Sequence, residues 1–356
     1  MCYYIINGRK RPQLTKGGEK SRVLSSYFMK TIRWGIAGTG GIARRFAEAC
    51  KNTPGAELSA VASRTAENSQ KFAEEFNIPN AFGSYEEMAK SDLIDIAYIA
   101  TPHGCHAGNA ILYMENKKGV MSEKPITVNV REFDRMEKCA KENGAFLMEA
   151  MWGRVVPGTI KLMEIVNSGV LGKVKGIEGS FCYDMWDEPG HHAFNPVYGG
   201  GSLLDVGCYC LYFSSWYAGS EVEGISAYAE IGPSGVDVHN CYMIKYKSGC
   251  IAQMSSAMLL NKPGGAGYIY GEKGYVKCER FYAPERIEVH IEGKETEFIE
   301  TPFAGNGFEE QIAEASGCVR EGLKESPVLT LEKSRFILKQ MDEIRRIVGV
   351  KYPQDN

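Results

Sequence analysis

Hydrophobic and polar positions follow two different patterns along the chain, and the change falls near Trp152. Before that residue, short apolar runs such as Thr31–Ala37 and Asp95–Ala100 alternate with amphipathic stretches of ten or more residues. Buried strands that alternate with helices of this length are typical of right-handed βαβ units and a parallel sheet. We therefore predict an α/β fold that begins with a doubly wound parallel sheet of the Rossmann type.

The predicted elements follow from these runs. Before Trp152, strands are predicted at Thr31–Ala37, Glu57–Ser63, Asp95–Ala100, Gly119–Ser122 and Phe146–Glu149, and helices at Gly41–Asn52, Ala66–Phe76, Cys105–Lys117 and Val130–Asn143. After it, helices are predicted at Thr159–Ser168, Ser202–Tyr217, Gly307–Gly322 and Leu331–Val348, and strands at Val174–Tyr183, Val222–Ile231, Val238–Tyr246, Cys250–Ala257, Tyr268–Gly271, Val276–Arg280, Ile287–Ile291 and Glu297–Ile299. Successive strands joined by short turns indicate an open, largely antiparallel sheet within an α+β domain.

The length of 356 residues suits two domains. We expect a disordered tail over residues 1–29, a nucleotide-binding domain over 30–150, and a substrate-binding and dimerisation domain over 151–356. The last helix is expected to pack back on the first domain. Met29 is an alternative start, because the first predicted strand begins two residues later.

Charge and cysteine usage narrow the function classes. The net charge is −3, with 41 Lys and Arg against 44 Asp and Glu, so nothing favours nucleic acid or an anionic membrane as the partner. No apolar run approaches the roughly 18–20 residues of a membrane span. The 11 cysteines form no CxxC pair, and the histidines are spread over separate motifs. We therefore expect free thiols, a cytoplasmic location and no metal site.

A glycine loop follows the first strand and opens the first helix. Gly38–Ala43 reads G-x-G-x-x-A. In a dinucleotide site the first glycine makes the tight turn, the second admits the pyrophosphate, and the small last residue lets helix and strand pack closely. The expected cofactor contacts in the loop are Gly38, Thr39, Gly40, Gly41 and Ile42. A glycine-rich turn in another α/β fold is the alternative.

The end of the second strand indicates which nucleotide binds. An NAD site usually carries an acidic residue about 20 positions after the loop to hold the ribose 2′-hydroxyl. Here the strand ends in Ser63 and Arg64, with no acid. A guanidinium can pair with a 2′-phosphate, and the Ser63 or Thr65 hydroxyl can add a hydrogen bond. We predict NADP; the alternative is that Arg64 is an ordinary surface residue.

Further motifs give the chain a family resemblance. They are Ala100-Thr-Pro102 with His103 and His106, Glu123-Lys124-Pro125, Glu149-Ala-Met-Trp152-Gly-Arg154-Val-Val-Pro157, and Gly199–Tyr209. Together with the glycine loop, they resemble the glucose-fructose oxidoreductase, inositol dehydrogenase and rhizopine-catabolism family from about Thr31 to Val348. Within it, the chain looks like the branch of dimeric dihydrodiol dehydrogenases and NADP-dependent xylose dehydrogenases. Inositol dehydrogenase-like members usually carry histidine where this chain has Tyr209, which argues against a myo-inositol enzyme.

Three residues are the catalytic candidates. A dehydrogenase needs a positioned acid or base beside the cofactor, and Tyr209 is our candidate. The Lys124 ammonium is expected to lower the pKa of the tyrosine and to hydrogen-bond the reacting oxygen. Asp205, one helical turn before Tyr209, would bind a substrate hydroxyl or orient Lys124. The resemblance implies the same trio; the alternatives are a core tyrosine, a surface lysine and a helix-capping aspartate.

The remaining candidates lie beside the cofactor. The expected contacts are Thr101, Pro102, His106, Glu123, Lys124, Trp152 and Arg154. Pro102 is expected to shape the loop under the nicotinamide, and Trp152 could wall the substrate pocket. Arg154 either holds a cofactor or substrate oxygen or forms a structural salt bridge. Whether His103 and His106 contact cofactor or substrate is left open.

These residues indicate an NADP-dependent dehydrogenase of a small polyol, an aldose or a trans-dihydrodiol. A non-catalytic NADP sensor and a cofactor-retaining glycosidase of the same family are the alternatives. The loop Asp184–Tyr198 is rich in aromatic and polar residues and is expected to border the substrate pocket. The second sheet lacks helices for one of its faces, so we expect a homodimer through that face.

Overall fold

The protein is described by a computed structural model that covers residues 3–6, 9–12, 30–185, 190–261 and 265–356. Near the N-terminus, β1 (Tyr3–Ile6) pairs antiparallel with β2 (Arg9–Pro12). The rest of the predicted tail lies outside the described residues. Its disorder and the alternative start at Met29 therefore stay predictions.

A six-stranded parallel sheet forms the first part of the fold, as predicted. Its strands are β3 (Ile32–Ala37), β4 (Ala56–Ala62), β5 (Asn80–Phe82), β6 (Ile96–Ile99), β7 (Gly119–Ser122) and β8 (Leu147–Glu149), in the order β5-β4-β3-β6-β7-β8. The connecting helices are α1 (Gly41–Asn52), α2 (Ala66–Phe76), α3 (Tyr85–Lys90), α4 (His106–Glu115) and α5 (Val130–Asn143). The sequence pattern missed β5 and α3, because elements of three and six residues are too short to show a period.

Large apolar side chains explain why this sheet is buried on both faces. Phe46 on α1 stacks on Tyr98 of β6 with ring centroids 4.0 Å apart, and its ring lies 5.2 Å from Trp34 of β3. All three side chains are fully buried. Strands covered on both faces read as continuous apolar runs, which is why their positions were readable from the sequence.

A mixed eight-stranded sheet forms the second part. Its strands are β9 (Val174–Cys182), β10 (Val222–Ile231), β11 (Asp237–Tyr246), β12 (Ile251–Ala257), β13 (Gly267–Gly271), β14 (Gly274–Cys278), β15 (Arg286–Ile291) and β16 (Glu297–Glu300), in the order β10-β11-β12-β9-β13-β14-β15-β16. The pair β9–β12 is parallel and the other neighbours are antiparallel. The helices of this part are α6 (Pro157–Asn167), α7 (Cys208–Ala218), α8 (Glu309–Arg320) and α9 (Leu331–Val348).

One face of this second sheet packs against helix α7, and the other, which we call the open face, is exposed. Tyr228 on β10 is 84% exposed, and Met243 on β11 is 52% exposed. On β13, the rings of Tyr268 and Tyr270 stack with centroids 5.8 Å apart. Apolar and aromatic side chains on an uncovered face are a feature of interaction surfaces.

The last two helices contact both parts of the fold. The Trp34 indole N–H donates to Ser316 Oγ on α8 at 3.1 Å. Leu331 and Leu338 on α9 belong to the apolar cluster beneath the first sheet. The domain limits inferred from the sequence stay predictions, but these contacts show how closely the C-terminal helices join the first sheet.

Candidate active site

A cleft of about 880 Å³ lies at the carboxyl ends of the strands of the first sheet. This is the edge at which open α/β sheets bind ligands. Its lining includes most of the residues predicted from the sequence: Gly38, Thr39, Gly40, Gly41, Ile42, Ser63, Arg64, Thr65, Thr101, Pro102, His103, His106, Glu123, Lys124 and Asp205. The structure therefore brings together motifs that are up to 167 positions apart in the sequence, from Gly38 to Asp205.

The glycine loop has the geometry that a pyrophosphate needs. Gly38 has a φ of 116°, and a Cβ there would lie 2.5 Å from the carbonyl oxygen of Ala100. At Gly40 and Gly41 a Cβ would meet nothing within 4 Å, so space is open beside the backbone. Helix α1 begins at Gly41 with no side-chain cap and no acidic residue in its first turn. Its N–H groups and dipole are thus free for an anion.

The adenosine end of the cleft is polar and basic. Ser63 Oγ donates to the carbonyl oxygen of Thr65 at 2.7 Å, and Thr65 Oγ1 caps α2 by accepting from Asn68 N at 3.3 Å. Arg64 is exposed at this end, and within the described part of the chain no carboxylate forms an ion pair with it. The guanidinium and the N-terminus of α2 fit a 2′-phosphate.

Lys124 and Asp205 form a buried ion pair at the inner end of the cleft. Lys124 Nζ lies 3.0 Å from Asp205 Oδ1 and donates to the main-chain oxygen of Asp205 at 2.6 Å. Burial opposes both charges, but the carboxylate raises the pKa of Lys124 and the ammonium lowers the pKa of Asp205 below its ordinary value. Both groups are therefore charged at neutral pH.

A π-helical turn over Leu203–Gly207 precedes α7 and places Asp205. Its start is fixed by the buried carboxylate of Asp237, which accepts from Leu203 N at 2.7 Å and from Ser202 Oγ at 2.9 Å. Isolated π-turns within helices are frequent at functional sites. Here the turn presents both the carbonyl and the carboxylate of Asp205 to Lys124.

Tyr209 lies in the second turn of this helical segment and is nearly buried. Its hydroxyl oxygen accepts from the Trp152 indole N–H at 3.0 Å, and Lys124 Nζ lies 5.1 Å from its ring centroid. Burial raises the pKa of Tyr209 and outweighs the opposite effect of the Lys124 ammonium. The Lys124 ammonium thus lowers the pKa as expected from the sequence, but the net direction is upward because the side chain is buried.

Two of the predicted cleft residues also brace the surrounding loops. The ring nitrogens of His106 lie 2.9 Å from the Pro125 carbonyl oxygen and 2.8 Å from that of Thr101. Glu123 is buried, accepts from the Tyr98 hydroxyl, and accepts from Lys124 N at 3.1 Å. Burial lowers the pKa of His106 to about 4 and raises the pKa of Glu123. Both side chains hold the main chain on either side of Lys124.

His103 lies between the two parts of the fold. Its Nδ1 is 2.9 Å from the Gly199 carbonyl oxygen, and its Nε2 is 4.0 Å from Asp205 Oδ1. Burial lowers its pKa to about 3. A neutral imidazole at this point faces the ion pair without adding charge.

The structure does not bring Trp152, Arg154 or the catalytic candidate Tyr209 to the described cleft lining. Trp152 is buried behind Tyr209, against Phe308 at a centroid distance of 5.2 Å. Burial lowers the pKa of Arg154, and the charged groups that act on it are Tyr217 and Glu314. The long-range contacts of Trp152 and Arg154 could not be read from the sequence, and their assignment to the cofactor stays a prediction.

Two residues at or beside the cleft, Asn109 and Tyr183, escaped the sequence reasoning. Asn109 lines the cleft and donates to Thr101 Oγ1 at 3.1 Å. Tyr183 donates to Asp205 Oδ2 and had been read only as part of a strand. His191, His192 and Tyr198 line the cleft as well, which confirms that the loop Asp184–Tyr198 borders it. Residues 186–189 of that loop lie outside the described residues. In the described ranges, no three His, Cys, Asp or Glu side chains are grouped to hold a metal ion.

Comparison with known proteins identifies the family. Residues 32–151 match the oxidoreductase family with an NAD-binding Rossmann fold, and residues 159–277 match the GFO/IDH/MocA C-terminal domain. A trans-1,2-dihydrobenzene-1,2-diol dehydrogenase from Mus musculus is 36% identical over 335 residues, which cover 91% of this chain and 99% of that protein. The chain belongs to the GFO/IDH/MocA oxidoreductase family. The resemblance seen in the sequence is thereby confirmed.

Solved structures of the GFO/IDH/MocA family share the fold. A 3-ketoreductase from Actinomadura kijaniata, in complex with NADP and TDP-benzene, matches with a TM-score of 0.83 and 23% identity, over 90% of this chain and 98% of that one. An aldose-aldose oxidoreductase from Caulobacter crescentus complexed with glycerol matches with a TM-score of 0.82 and 23% identity, over the same shares. This chain is accordingly an oxidoreductase that uses a nicotinamide nucleotide. None of its described helices is long and apolar enough to cross a membrane.

Proposed function

We propose that the protein is an NADP-dependent dehydrogenase that moves a hydride between the nicotinamide and a hydroxyl or carbonyl carbon of a small polyol, an aldose or a trans-dihydrodiol. The observation that carries this proposal is the Lys124–Asp205 ion pair in the glycine-loop cleft, with the Tyr209 ring centroid 5.1 Å from Lys124 Nζ. Relatives of matching length oxidise a trans-dihydrodiol, and structural neighbours act on ketones and aldoses.

Different residues of the cleft suit different parts of the nucleotide. The N–H groups at the start of α1 hold the pyrophosphate, and Arg64 with Ser63 and Thr65 holds the 2′-phosphate. The bound nicotinamide accepts or supplies the hydride. The absence of an acidic residue beside Arg64 favours NADP over NAD, and the A. kijaniata relative was solved with NADP.

The proton is handled by Lys124 and Tyr209. The Lys124 ammonium, held by Asp205, donates a hydrogen bond to the reacting oxygen and stabilises the charge that develops there. The Trp152 indole N–H donates to the Tyr209 oxygen, so the phenol hydrogen is free to point elsewhere. The raised pKa keeps Tyr209 protonated at neutral pH, ready to donate in the direction of carbonyl reduction. In the direction of oxidation, Tyr209 first releases its own proton to solvent and then accepts the proton of the substrate hydroxyl, while Lys124 and Trp152 stabilise the intervening phenolate.

The test is NADP⁺ reduction by the wild type, Tyr209→Phe and Lys124→Met, with D-xylose, D-glucose and trans-1,2-dihydrobenzene-1,2-diol as separate substrates. We expect turnover by the wild type and a loss of about two or more orders of magnitude in each variant, because each removes a proton-handling group. NADPH binding should persist, since neither change removes a phosphate contact. Tyr246→Phe is the matched control, because Tyr246 is a buried tyrosine bonded to Ser214 outside the cleft.

Two outcomes contradict the proposal. Full activity of Lys124→Met would show that the ion pair does not take part in proton transfer. Tight NADPH binding by the wild type without turnover on any of the three substrates would favour an NADP-binding sensor.

Assembly and location form part of the same proposal. The open face carries exposed Tyr228 and Met243, and such a face is suited to a second copy of the chain. The 11 scattered cysteines, an odd number with no CxxC pair, favour a reducing compartment, and this supports a cytoplasmic location.

A further inference from the structure

Both oxygens of the Asp205 carboxylate are engaged by the protein. Oδ1 accepts from Lys124 Nζ at 3.0 Å, and Oδ2 accepts from the Tyr183 hydroxyl. Tyr183 directly follows β9 and is half-buried. A carboxylate with a donor on each oxygen is fixed in rotation as well as in position. Asp205 therefore has little freedom to bind a substrate hydroxyl, and its geometry suits the orientation of Lys124.

Tyr183 is itself held firmly by the second sheet. Its N–H donates to the Ala257 carbonyl oxygen at 3.1 Å, and its own carbonyl oxygen accepts from Leu260 N at 3.4 Å. Its ring meets Phe181 edge-on at a centroid distance of 6.4 Å. Lys124, in contrast, follows a strand of the first sheet. The Asp205 carboxylate is thus held from both sheets at once.

We propose that Tyr183 is a positioning residue for proton transfer: its hydroxyl fixes the Asp205 carboxylate, whose other oxygen then holds Lys124 Nζ at the cleft. This inference rests on the proposed dehydrogenase function and adds a residue to it. A tyrosine suits this role because its side chain is rigid and its hydroxyl is a strong donor.

Charged and titratable groups surround the Asp205 carboxylate. Titratable groups face the carboxylate from every surrounding element: Lys124, His103, Tyr183, His192 and Cys208. The Lys124 charge, followed by His103 and the Tyr183 hydrogen bond, lowers the pKa of Asp205 against the effect of burial. Removal of the Tyr183 hydroxyl raises that pKa. Because the pKa of Asp205 starts far below its ordinary value, the ion pair stays charged in both proteins over the pH range of an activity assay.

The kinetic test compares the wild type with Tyr183→Phe, using NADP⁺ and whichever of the three substrates above is turned over fastest. We expect kcat to fall by about tenfold, the size of effect that a lost hydrogen bond to a charged group produces. The NADPH Kd should not change. Tyr270→Phe is the matched control, because Tyr270 donates to Glu178 at 3.1 Å on the open face.

An active wild type with an unchanged kcat in Tyr183→Phe overturns the proposal. A double-mutant cycle adds a second criterion. In an Asp205→Asn background, Tyr183→Phe should cause no further loss, because it acts through the carboxylate. Losses that multiply in the double variant overturn the positioning role.

A labelling measurement decides the question without turnover. Acetic anhydride is applied to the wild type and Tyr183→Phe at a fixed pH, and acetylation of Lys124 is followed by peptide mass spectrometry. Lys124 should react several-fold faster in the variant, because its ammonium is less firmly held. Equal rates overturn the proposal. A wild type that lacks turnover refutes the dehydrogenase function, whereas the labelling rates still decide the role of Tyr183.

Discussion

At the adenosine end of the cleft, a single side chain separates the two nicotinamide nucleotides. Arg64 is exposed there, and none of the described carboxylates forms an ion pair with it. Its charge is therefore available to a 2′-phosphate, which NADP carries and NAD lacks. A charge-assisted contact of this kind contributes about 1.5–3 kcal/mol.

Replacement of Arg64 by alanine should weaken NADPH binding by roughly 10–100-fold and leave NADH binding nearly unchanged. Titration of both nucleotides by fluorescence measures the two Kd values. Arg44→Ala is the control, because Arg44 forms an ion pair with Glu75 outside the described cleft lining. A wild type that binds NADH as tightly as NADPH would refute the assignment of NADP.

The protonation of His106 affects the stability of the folded protein. Burial lowers its pKa to about 4 in the folded protein, while an unfolded histidine titrates near pH 6.5. Between these two pH values the unfolded chain binds more protons than the folded protein. The free energy of unfolding therefore decreases as the pH falls from 6.5 towards 4. At pH 5.5 the loss is about 1 kcal/mol for this one residue.

The free energy of unfolding, measured with urea at pH 7.5 and pH 5.5, should thus fall less in His106→Gln than in the wild type. The comparison isolates one group, because the buried carboxylates that titrate in the same range are common to both proteins. Equal losses in the two proteins would show that His106 is not kept neutral by burial.

The sequence was informative about residue types and poor about their surroundings. The cleft positions of Lys124 and Asp205 followed from strand ends and motif order. The tyrosine at position 183 escaped notice because an aromatic residue that ends an apolar strand looks like core. The effect of Lys124 on the pKa of Tyr209 was predicted in the right direction, but the larger effect of burial was not, since burial depends on contacts with residues such as Trp152 that are distant in sequence.

At the scale of elements, a short C-terminal segment, Tyr352–Asp355, fastens the loop that carries the cleft histidines. The Tyr352 hydroxyl donates to the Gly200 carbonyl oxygen, and Gln354 Nε2 donates to Val197 O at 2.8 Å. The same segment accepts from Asn129, the cap of α5, at 3.0 Å and 2.8 Å. The loop of the second part is thereby tied to the first.

Tyr352→Phe should lower the free energy of unfolding by about 1–2 kcal/mol, because the buried Gly200 carbonyl loses its donor. The KM for substrate should rise a few-fold, since the loop borders the cleft, while kcat stays close to the wild-type value. Urea unfolding and initial rates measure the two effects. Tyr270→Phe, on the exposed face, should change neither; a Tyr352 variant with wild-type stability and KM would contradict the fastening role.

The ease of prediction also differed among elements. Helices α1, α5 and α9 were located to within a residue or two, because each has a strong amphipathic period and a clear start or stop. The π-turn over Leu203–Gly207 was read as ordinary helix, because its widening depends on the Asp237 carboxylate and Lys124 from other elements. Local pattern does not record such contacts.

At the scale of the whole molecule, the open face predicts the assembly. Tyr228→Glu places a charge at the side chain that is 84% exposed on β10, and burial of that charge against a second copy is costly. The wild type should have a mass of about two 39.4 kDa chains by light scattering at micromolar concentration, and the variant that of one chain. Leu93→Glu, at an exposed residue outside both sheets, should leave the mass unchanged. A monomeric wild type would refute the dimer.

Two contacts of the first sheet are made with residues near the C-terminus, and this affects how the protein folds during synthesis. The Leu147 N–H donates to the Lys324 carbonyl oxygen at 3.0 Å, and the Trp34 indole N–H donates to Ser316 Oγ at 3.1 Å. A ribosome releases these partners only after the whole second sheet has been synthesised. The nascent Rossmann part must therefore remain incomplete, with apolar surface beneath it uncovered, until helices α8 and α9 leave the exit tunnel. The N-terminal part, although translated first, therefore exposes this apolar surface for longest during synthesis.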